Sequence, residues 1–422
     1  MIRKEVKKTW QKKLQCIEML EQASMSQKHM RINIPKQLLR KESKNPNNLP
    51  GLPKAGNPYF KFKNINMKIN LLYIPILKAK EGEFKGLEAL KKENLLKISP
   101  LFEITNIPWN YADEVEGKSI DNHLEKVGKK IFDAIEYTPF FVDSRHIDGD
   151  RNMENGEHHL QYLFQDFRDK KLRAIPVTTL SKMDAYQNAV KEIQILDKKG
   201  ICLRIDLSDL AKKDFEFNLT SFLRFINVEL NNIDLLIDLK NIEADDQDLL
   251  LITIASIINS KIPNLDEWRN LILSGTSFPE NLSQISANSI DTIERVEWNL
   301  YNELVRSGLK RIPIFSDYTV SNSEVTEMDP RLITMSASLR YTYDNYWLIV
   351  RGRSVKTQGW IQYHNLCANL LKRPEYMGND FSWGDHYIEE CANQKVGTGN
   401  ATTWRKVGNN HHIEYVLTQL PT

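Results

Sequence analysis

Three acids and four bases stand out because each falls where a short apolar run gives way to polar sequence. Glu103 closes PLFE, Asp143 closes FFVD and Asp238 closes LLID. Lys78, Arg145, Arg204 and Lys240 lie in or just beyond runs of the same kind. Carboxylates crowded into one place can have their pKa values driven apart, so that one serves as general acid and another as base. Glu103, Asp143 and Asp238 are therefore the candidate catalytic residues. Lysine and arginine suit phosphate or carboxylate oxygens, arginine through two parallel hydrogen bonds. That makes Lys78, Arg145, Arg204 and Lys240 candidate binders of an anionic substrate. Lys240 has a second reading as an imine-forming lysine, since a desolvated amine is nucleophilic. Its plain alternative is a solvated or ion-paired side chain.

The loop SGTSFP (residues 274–279) is small and hydroxylated, and its backbone N–H groups could cradle a phosphate. Ser274, Gly275 and Ser277 join the binding set on that ground, and Asp317 with Tyr318 closes the run IPIFSDY. Metal chemistry has thinner support. The run YIPILKAK ends in Lys-Ala-Lys, where a metallohydrolase barrel places an HxH pair. The adjacent pairs His158-His159 and His411-His412 cannot share one face of a helix or strand. The pattern assigns no metal ligands, although Glu103, Asp143 and Asp238 together would suit a carboxylate-held Mg²⁺.

Short apolar runs alternating with amphipathic segments must position these residues. Strands are expected at 73–79, 99–104, 140–145, 174–180, 201–207, 234–239, 270–274 and 312–317, with helices at 84–92, 124–136, 159–170, 185–196 and 290–305. Alternation of this kind implies parallel strands with right-handed crossovers. Eight strands over about 250 residues favour a closed β/α barrel of the TIM type, whose sites lie at the C-terminal strand ends. An open doubly wound sheet is the runner-up, but no GxGxxG follows the first strand. Side chains two apart on a strand share a face, so Asp143 points with Arg145, Arg204 with Asp206, and Asp238 with Lys240. If those faces are inward, acids and bases converge on one polar mouth. For any single residue, a charge that merely solvates a loop start is the plainer reading. For the whole ring it is not, because burying so many charges is costly unless they bind something.

Three regions follow: a basic helical arm and linker over 1–70, the barrel over 71–330, and an α+β cap over 331–422. The cap opens with a hairpin around Asp344-Asn345 and continues into a helix near 360–371. The arm carries 16 Lys/Arg against 4 Asp/Glu, whereas the remaining chain carries 41 against 51. A basic arm suits an acidic protein, a nucleic acid or a second copy of the chain. Its helical pattern also suits simple packing through an apolar face. Scattered cysteines (Cys16, Cys202, Cys367 and Cys391) read as reduced thiols. No apolar run spans a bilayer, and the basic start lacks a signal-peptide stretch. A cytoplasmic protein is expected, with no membrane partner.

Several segments together resemble a known family, the "beta" proteins of phages and bacteria. The likeness rests on YIPILKAKEGE (73–83), PLFEI (100–104), ICLRIDL (201–207), SGTSFP and IPIFSDY. It continues through SASLRYTYDNYWLIVRG (336–352), FSWGDHYIEECA (381–392) and TWRKVGNNHHIEYV (403–416). It covers about residues 72–420. The resemblance implies a role in phage–host conflict or antiviral defence, but no particular chemistry. It also draws attention to the tail, where Arg340, Arg351 and His411 would complete the site if the cap covers the mouth. The alternative is a structural lid in which Trp383 and Trp404 pack and the histidines satisfy backbone groups.

Two functions of different kinds result. One is a hydrolase or lyase acting on a phosphorylated or otherwise anionic small molecule, such as a nucleotide. The other is a non-catalytic component that senses a ligand or phage protein, or serves as a scaffold.

Overall fold

The computed structural model describes residues 71–324, 332 and 334–421. The arm expected over 1–70, with Cys16, lies outside the described residues. In chain order the strands are β1 (Tyr73–Lys78), β2 (Leu101–Glu103), β3 (Trp109–Asn110), β4 (Val115–Glu116), β5 (Phe140–Asp143), β6 (Ala174–Thr178) and β7 (Ile201–Asp206). They continue as β8 (Ile233–Asn241), β9 (Asn270–Thr276), β10 (Ser289–Glu294), β11 (Ile314–Asp317), β12 (Ser336–Tyr343) and β13 (Tyr346–Ser354). Eight of them close a parallel barrel in the order β1-β2-β5-β6-β7-β8-β9-β11, with β11 pairing back to β1. Each coincides with a run expected from the sequence. The runs are nearly continuous in apolar residues because both faces of a barrel strand are covered. Ile74, Ile76, Leu101, Phe141, Cys202, Leu236 and Ile272 fill the interior. Their neighbours one residue away, such as Leu77, Phe140 and Leu235, pack under the helices.

The helices used below are α1 (Glu81–Glu88), α2 (Val127–Ile135), α3 (His159–Asp169), α4 (Asp184–Asp197), α5 (Phe215–Ile226), α6 (Gln247–Ser256), α7 (Val296–Arg306), α8 (Tyr363–Leu370), α9 (Trp383–Ala392) and α10 (Ala401–Gln419). The first seven each follow a barrel strand. The eighth place belongs to α10, which packs along α1, and whose Ile413, Val416 and Leu417 join the apolar layer outside the barrel. The segment 334–400 is thus inserted between the last barrel strand and the last barrel helix. Barrel and insertion fall within one compact unit.

The insertion carries the expected hairpin of β12 and β13, turning at Asp344, whose φ of 49° is left-handed. Asp and Asn tolerate that conformation better than most residues. One expectation needs correction. Residues 290–305 do not form a single helix, because Ser289–Glu294 is β10, antiparallel to β13 in a sheet ordered β10-β13-β12. SIDTIE is rich in β-branched residues, and α7 begins only after Ser277 Oγ accepts from the Val296 N–H (2.9 Å). Cys202, Cys367 and Cys391 are buried free thiols. No helix among the described residues is long and apolar enough to cross a membrane.

Candidate functional site

Strand parity brings the expected ring together. Register places Lys78 beside Glu103, Glu103 beside Asp143, and Asp206 and Ser274 on either side of Asp238. Two residues below this rim, Arg204 extends from β7 across the lumen and lies fully among the acids. Its Nη1 donates to Glu103 (2.9 Å) and Asp143 (2.7 Å). Its Nε and Nη2 donate to Asp238 (3.0 and 2.8 Å), and Nη2 also meets the Tyr318 hydroxyl (2.6 Å). Tyr318 in turn donates to Asp238 (2.8 Å), as does the Ser274 hydroxyl (3.0 Å). One arginine ties β2, β5, β8 and the end of β11 into a plug at the top of the barrel.

This arrangement changes the chemistry expected of the acids. Burial alone would raise the pKa of Glu103, but Arg204, then His146, Arg145 and Lys78, hold it well below the carboxylate range. Burial opposes and Arg204 with Arg145 again prevails at Asp238, which is also held low. Both stay ionised and are poor proton donors near neutrality. The guanidinium also occupies the space among the three carboxylates that a magnesium ion would need, so these residues do not fit that ion. No group of three or more ligating side chains suited to a metal occurs among the described residues. Two buried carboxylate oxygens of the cluster, Glu103 Oε2 and Asp143 Oδ1, lack hydrogen-bond partners. His146 Nε2 is 3.5 Å from Glu103 Oε2, close enough for attraction but not aligned for a hydrogen bond.

Above the plug opens a cleft of about 300 Å³. Its walls include Arg145, Thr179, Ser181, Lys182, Lys212 and Lys240, with Arg204 and Asp238 also lining it. Lys240 is paired with Asp206 (2.6 Å) and Lys212 with Asp209 (2.8 Å). The paired amine of Lys240 no longer fits an imine-forming role. Arg145, 24% exposed, reaches Glu103 at 3.4 Å and Asp238 at 3.7 Å. Lys182 differs from all of these. No carboxylate lies within ion-pair distance of it among the described residues, and its Nζ sits over the Tyr186 ring, 4.3 Å from the centroid. Burial lowers its pKa; Asp143 opposes this, while Arg145 and Arg204 add to it. The loop presenting it is folded by Thr179, whose Oγ1 accepts from the Ser181 N–H (3.3 Å). Gln187 of α4 anchors that loop by donating to the Thr179 carbonyl (2.7 Å). Lys182 was not among the sequence candidates because it lies beyond the strand end, in a loop that only the fold turns toward the mouth.

Other expected residues lie elsewhere. Asp317 is one residue out of phase with inward Tyr318, so it faces α10. There it accepts from the Tyr73 hydroxyl, from the Thr319 N–H (2.9 Å) and from His412 Nε2 (2.9 Å). Gly275 also faces outward, where an added Cβ would come within 2.6 Å of Ile242. Ser277 is engaged within the protein. Its N–H and hydroxyl donate to Glu297 (3.0 and 2.8 Å), and the Phe278 N–H donates to Thr276 Oγ1 (3.0 Å). The loop's donors are engaged internally. His411 is sealed between Asp385 Oδ2 (2.8 Å) and the Thr342 carbonyl (2.8 Å), stacked on Tyr341. Lys78 donates to the carbonyls of Asn322 (3.3 Å) and Glu324 (3.0 Å). With Arg340 it lines a second cleft, near the N-terminus of α1, that also contains Glu81, Glu83 and Glu324. Arg351 lies in a third cleft, within the insertion.

The sequence profile of the Beta protein family matches residues 73–418. The chain is 23% identical over 364 residues to Protein beta of Enterobacteria phage P4, covering 82% of this chain and 92% of that protein. Among solved structures it is similar to a type I 3-dehydroquinate dehydratase from Clostridium difficile, at 12% identity and a TM-score of 0.34, over 63% of this chain and 91% of that one. The family match spans the barrel strands, the insertion and the eighth barrel helix alike. This chain belongs to the Beta protein family.

Proposed function

We propose that the barrel mouth is an active site for a small anionic molecule, phosphorylated or carboxylated, held by Arg145 and Lys182. One observation carries the reading: among the described residues, Lys182 lines the cleft without a carboxylate partner while the other lysines there, Lys212 and Lys240, are paired. A desolvated ammonium beside a guanidinium favours an anion, which restores the charge balance that burial and the neighbouring arginines oppose. The ionised Glu103 and Asp238 cannot donate a proton. A hydrolase that requires a carboxylic acid therefore fits the mouth poorly, which leaves a lyase as the better enzymatic reading. The unpartnered oxygens of Glu103 and Asp143 leave acceptors for the polar groups of a substrate.

A second reading, binding without turnover, is favoured by the commitment of all three acids to Arg204. Both readings suit a role in phage–host conflict, as the phage P4 relative suggests.

The test is a thermal-shift and titration panel of phosphorylated and carboxylated metabolites, including nucleotides, against the wild type and the variants Arg145→Met and Lys182→Met. A ligand that stabilises the wild type should lose at least tenfold in affinity on either variant. Unchanged affinity in both would remove the mouth from consideration. Product formation from the bound ligand separates the enzyme from the sensor.

A further inference from the structure

A third cleft, of about 350 Å³, lies within the insertion between β13, the start of β10 and α8. Its chemistry differs from that of the other two. Acids line both the mouth and the cleft near α1, but none lines this one. It contains two arginines, Arg351 and Arg353, and neither has a carboxylate within ion-pair distance among the described residues. Arg351 donates to the Leu282 and Ile285 carbonyls and to Ser336 Oγ, while its buried Nε has no partner. The exposed Arg353 meets only an amide oxygen: with the Asn288 carboxamide oriented to satisfy both groups, its oxygen accepts from Nε (2.7 Å) and Nη2 (3.2 Å). The positive charge here is solvated or held by neutral dipoles, and no acid among the described residues cancels it.

The opposite wall is built of carboxamides. Asn365 and Asn369 are four residues apart on α8 and so share a face, with Gln358 just before the helix. The side-chain amides of all three make no hydrogen bond to any described residue. Asparagine is a poor residue for a helix interior. Asn365 and Asn369 are both exposed, so their amides face solvent and stay available to a ligand. A carboxamide offers two donors and a two-lone-pair acceptor, which suits the base edge of a nucleotide or the hydroxyls of a sugar. A guanidinium suits phosphate.

We infer that this cleft binds a phosphomonoester with an uncharged polar body, with its phosphate at Arg353 beside Arg351 and its body against Asn365, Asn369 and Gln358. Nucleoside monophosphates and sugar phosphates share this chemistry, and the volume lies at the lower end of small-molecule sites. The site does not depend on the reading of the barrel mouth.

Calorimetric titration of the full chain with AMP, GMP, CMP, UMP, glucose 6-phosphate, inorganic phosphate and adenosine tests the inference. At least one phosphomonoester should bind saturably, and more tightly than inorganic phosphate or adenosine. Which arm binds identifies the source. Arg353→Ala and the pair Asn365→Ala with Asn369→Ala should each reduce that affinity tenfold or more, while Lys182→Met leaves it unchanged. Alanine favours helix, so the paired variant should melt no earlier than the wild type, which separates loss of binding from loss of fold. The inference is overturned if no phosphomonoester binds at millimolar concentration. It is equally overturned if affinity survives both cleft variants, or if it responds only to Lys182→Met.

Discussion

Two buried polar clusters, both built from acids, bases and tyrosine, lie on opposite sides of the barrel wall and differ in one respect. On the outer face of β11, Asp317 is bound by Tyr73, the Thr319 N–H and His412, while Asp385 is bound by His411, Tyr341 and Ser382. No side-chain atom of these two acids or two histidines lacks a partner. Inside the mouth, Arg204 satisfies part of three carboxylates, and Glu103 Oε2 and Asp143 Oδ1 are left over. A closed network holds elements together, and here it seats α10 and the insertion on the barrel. An incomplete one retains capacity for something else, and the mouth has a cleft beside it. Residue type alone does not separate structure from site; the balance of donors and acceptors does.

The largest effect should come from breaking the mouth cluster at its centre. Arg204→Met leaves three buried carboxylates without their main cation, and removing one partner of a buried ion pair costs about 3–5 kcal/mol. Urea unfolding at pH 7 should show it. The pH dependence should then separate the two proteins. In the wild type, the folded pKa values of Glu103 and Asp238 are depressed, so their contribution is full above the unfolded carboxylate range and is lost as pH falls through the folded values. Without Arg204, burial dominates and raises those values. The folded variant then takes up protons before the unfolded chain does, and it gains stability as pH falls from 7 toward 5. The difference between wild type and variant should therefore shrink over that interval. A constant difference would mean that Arg204 acts mainly by packing.

The closed network gives the intermediate effect. Asp317→Asn keeps the shape but cannot accept from Tyr73, Thr319 and His412 as an anion does. A loss of about 1–3 kcal/mol is expected, the usual cost of leaving buried donors poorly matched. Ligand affinity at the mouth should not change, since Asp317 faces the other side of β11. A loss of binding equal to that of Lys182→Met would erase the distinction between the clusters.

Much of this contrast is visible in the sequence, and the missing part has a physical cause. The eight strands are legible because apolar runs of barrel length are hard to mistake once helices alternate with them. Period-2 parity then places Asp143, Arg145, Arg204, Asp206 and Asp238 on one face correctly. Asp317 and Gly275 stand beside Tyr318 and Ser274 as candidates, but the same parity admits only one of two adjacent residues to the lumen, and register decides which. SGTSFP looks like a phosphate loop, but its donors are satisfied by Glu297 and Thr276, one of them a partner twenty residues away. That Arg204 would neutralise the acids rather than join them in binding a substrate follows from the width of the lumen, which no local pattern reports. The eighth barrel helix was hidden by its separation from its strand: the inserted segment makes α10 look like part of a cap.

Lys182 provides the sharpest comparison because its expected effect on stability is small. Its amine makes no ion pair among the described residues, and it sits over the face of the Tyr186 ring. A cation over an aromatic ring at a partly exposed position contributes about 0.5–1 kcal/mol. Lys182→Met keeps the apolar stem over the ring, removes a charge held close to Arg145 and Arg204, and relieves that repulsion. The net change in the urea midpoint should therefore lie within about 0.5 kcal/mol of zero. A residue that contributes so little to the fold, yet sits desolvated beside a cleft, should show its role in binding. Affinity for the mouth ligand should fall at least tenfold, or about 1.4 kcal/mol. Asp317→Asn should give the opposite pair of results, a clear loss of stability with unchanged binding. If Lys182→Met instead destabilises the protein and leaves binding intact, the amine belongs with the structural groups, and Arg145 alone would have to hold the anion.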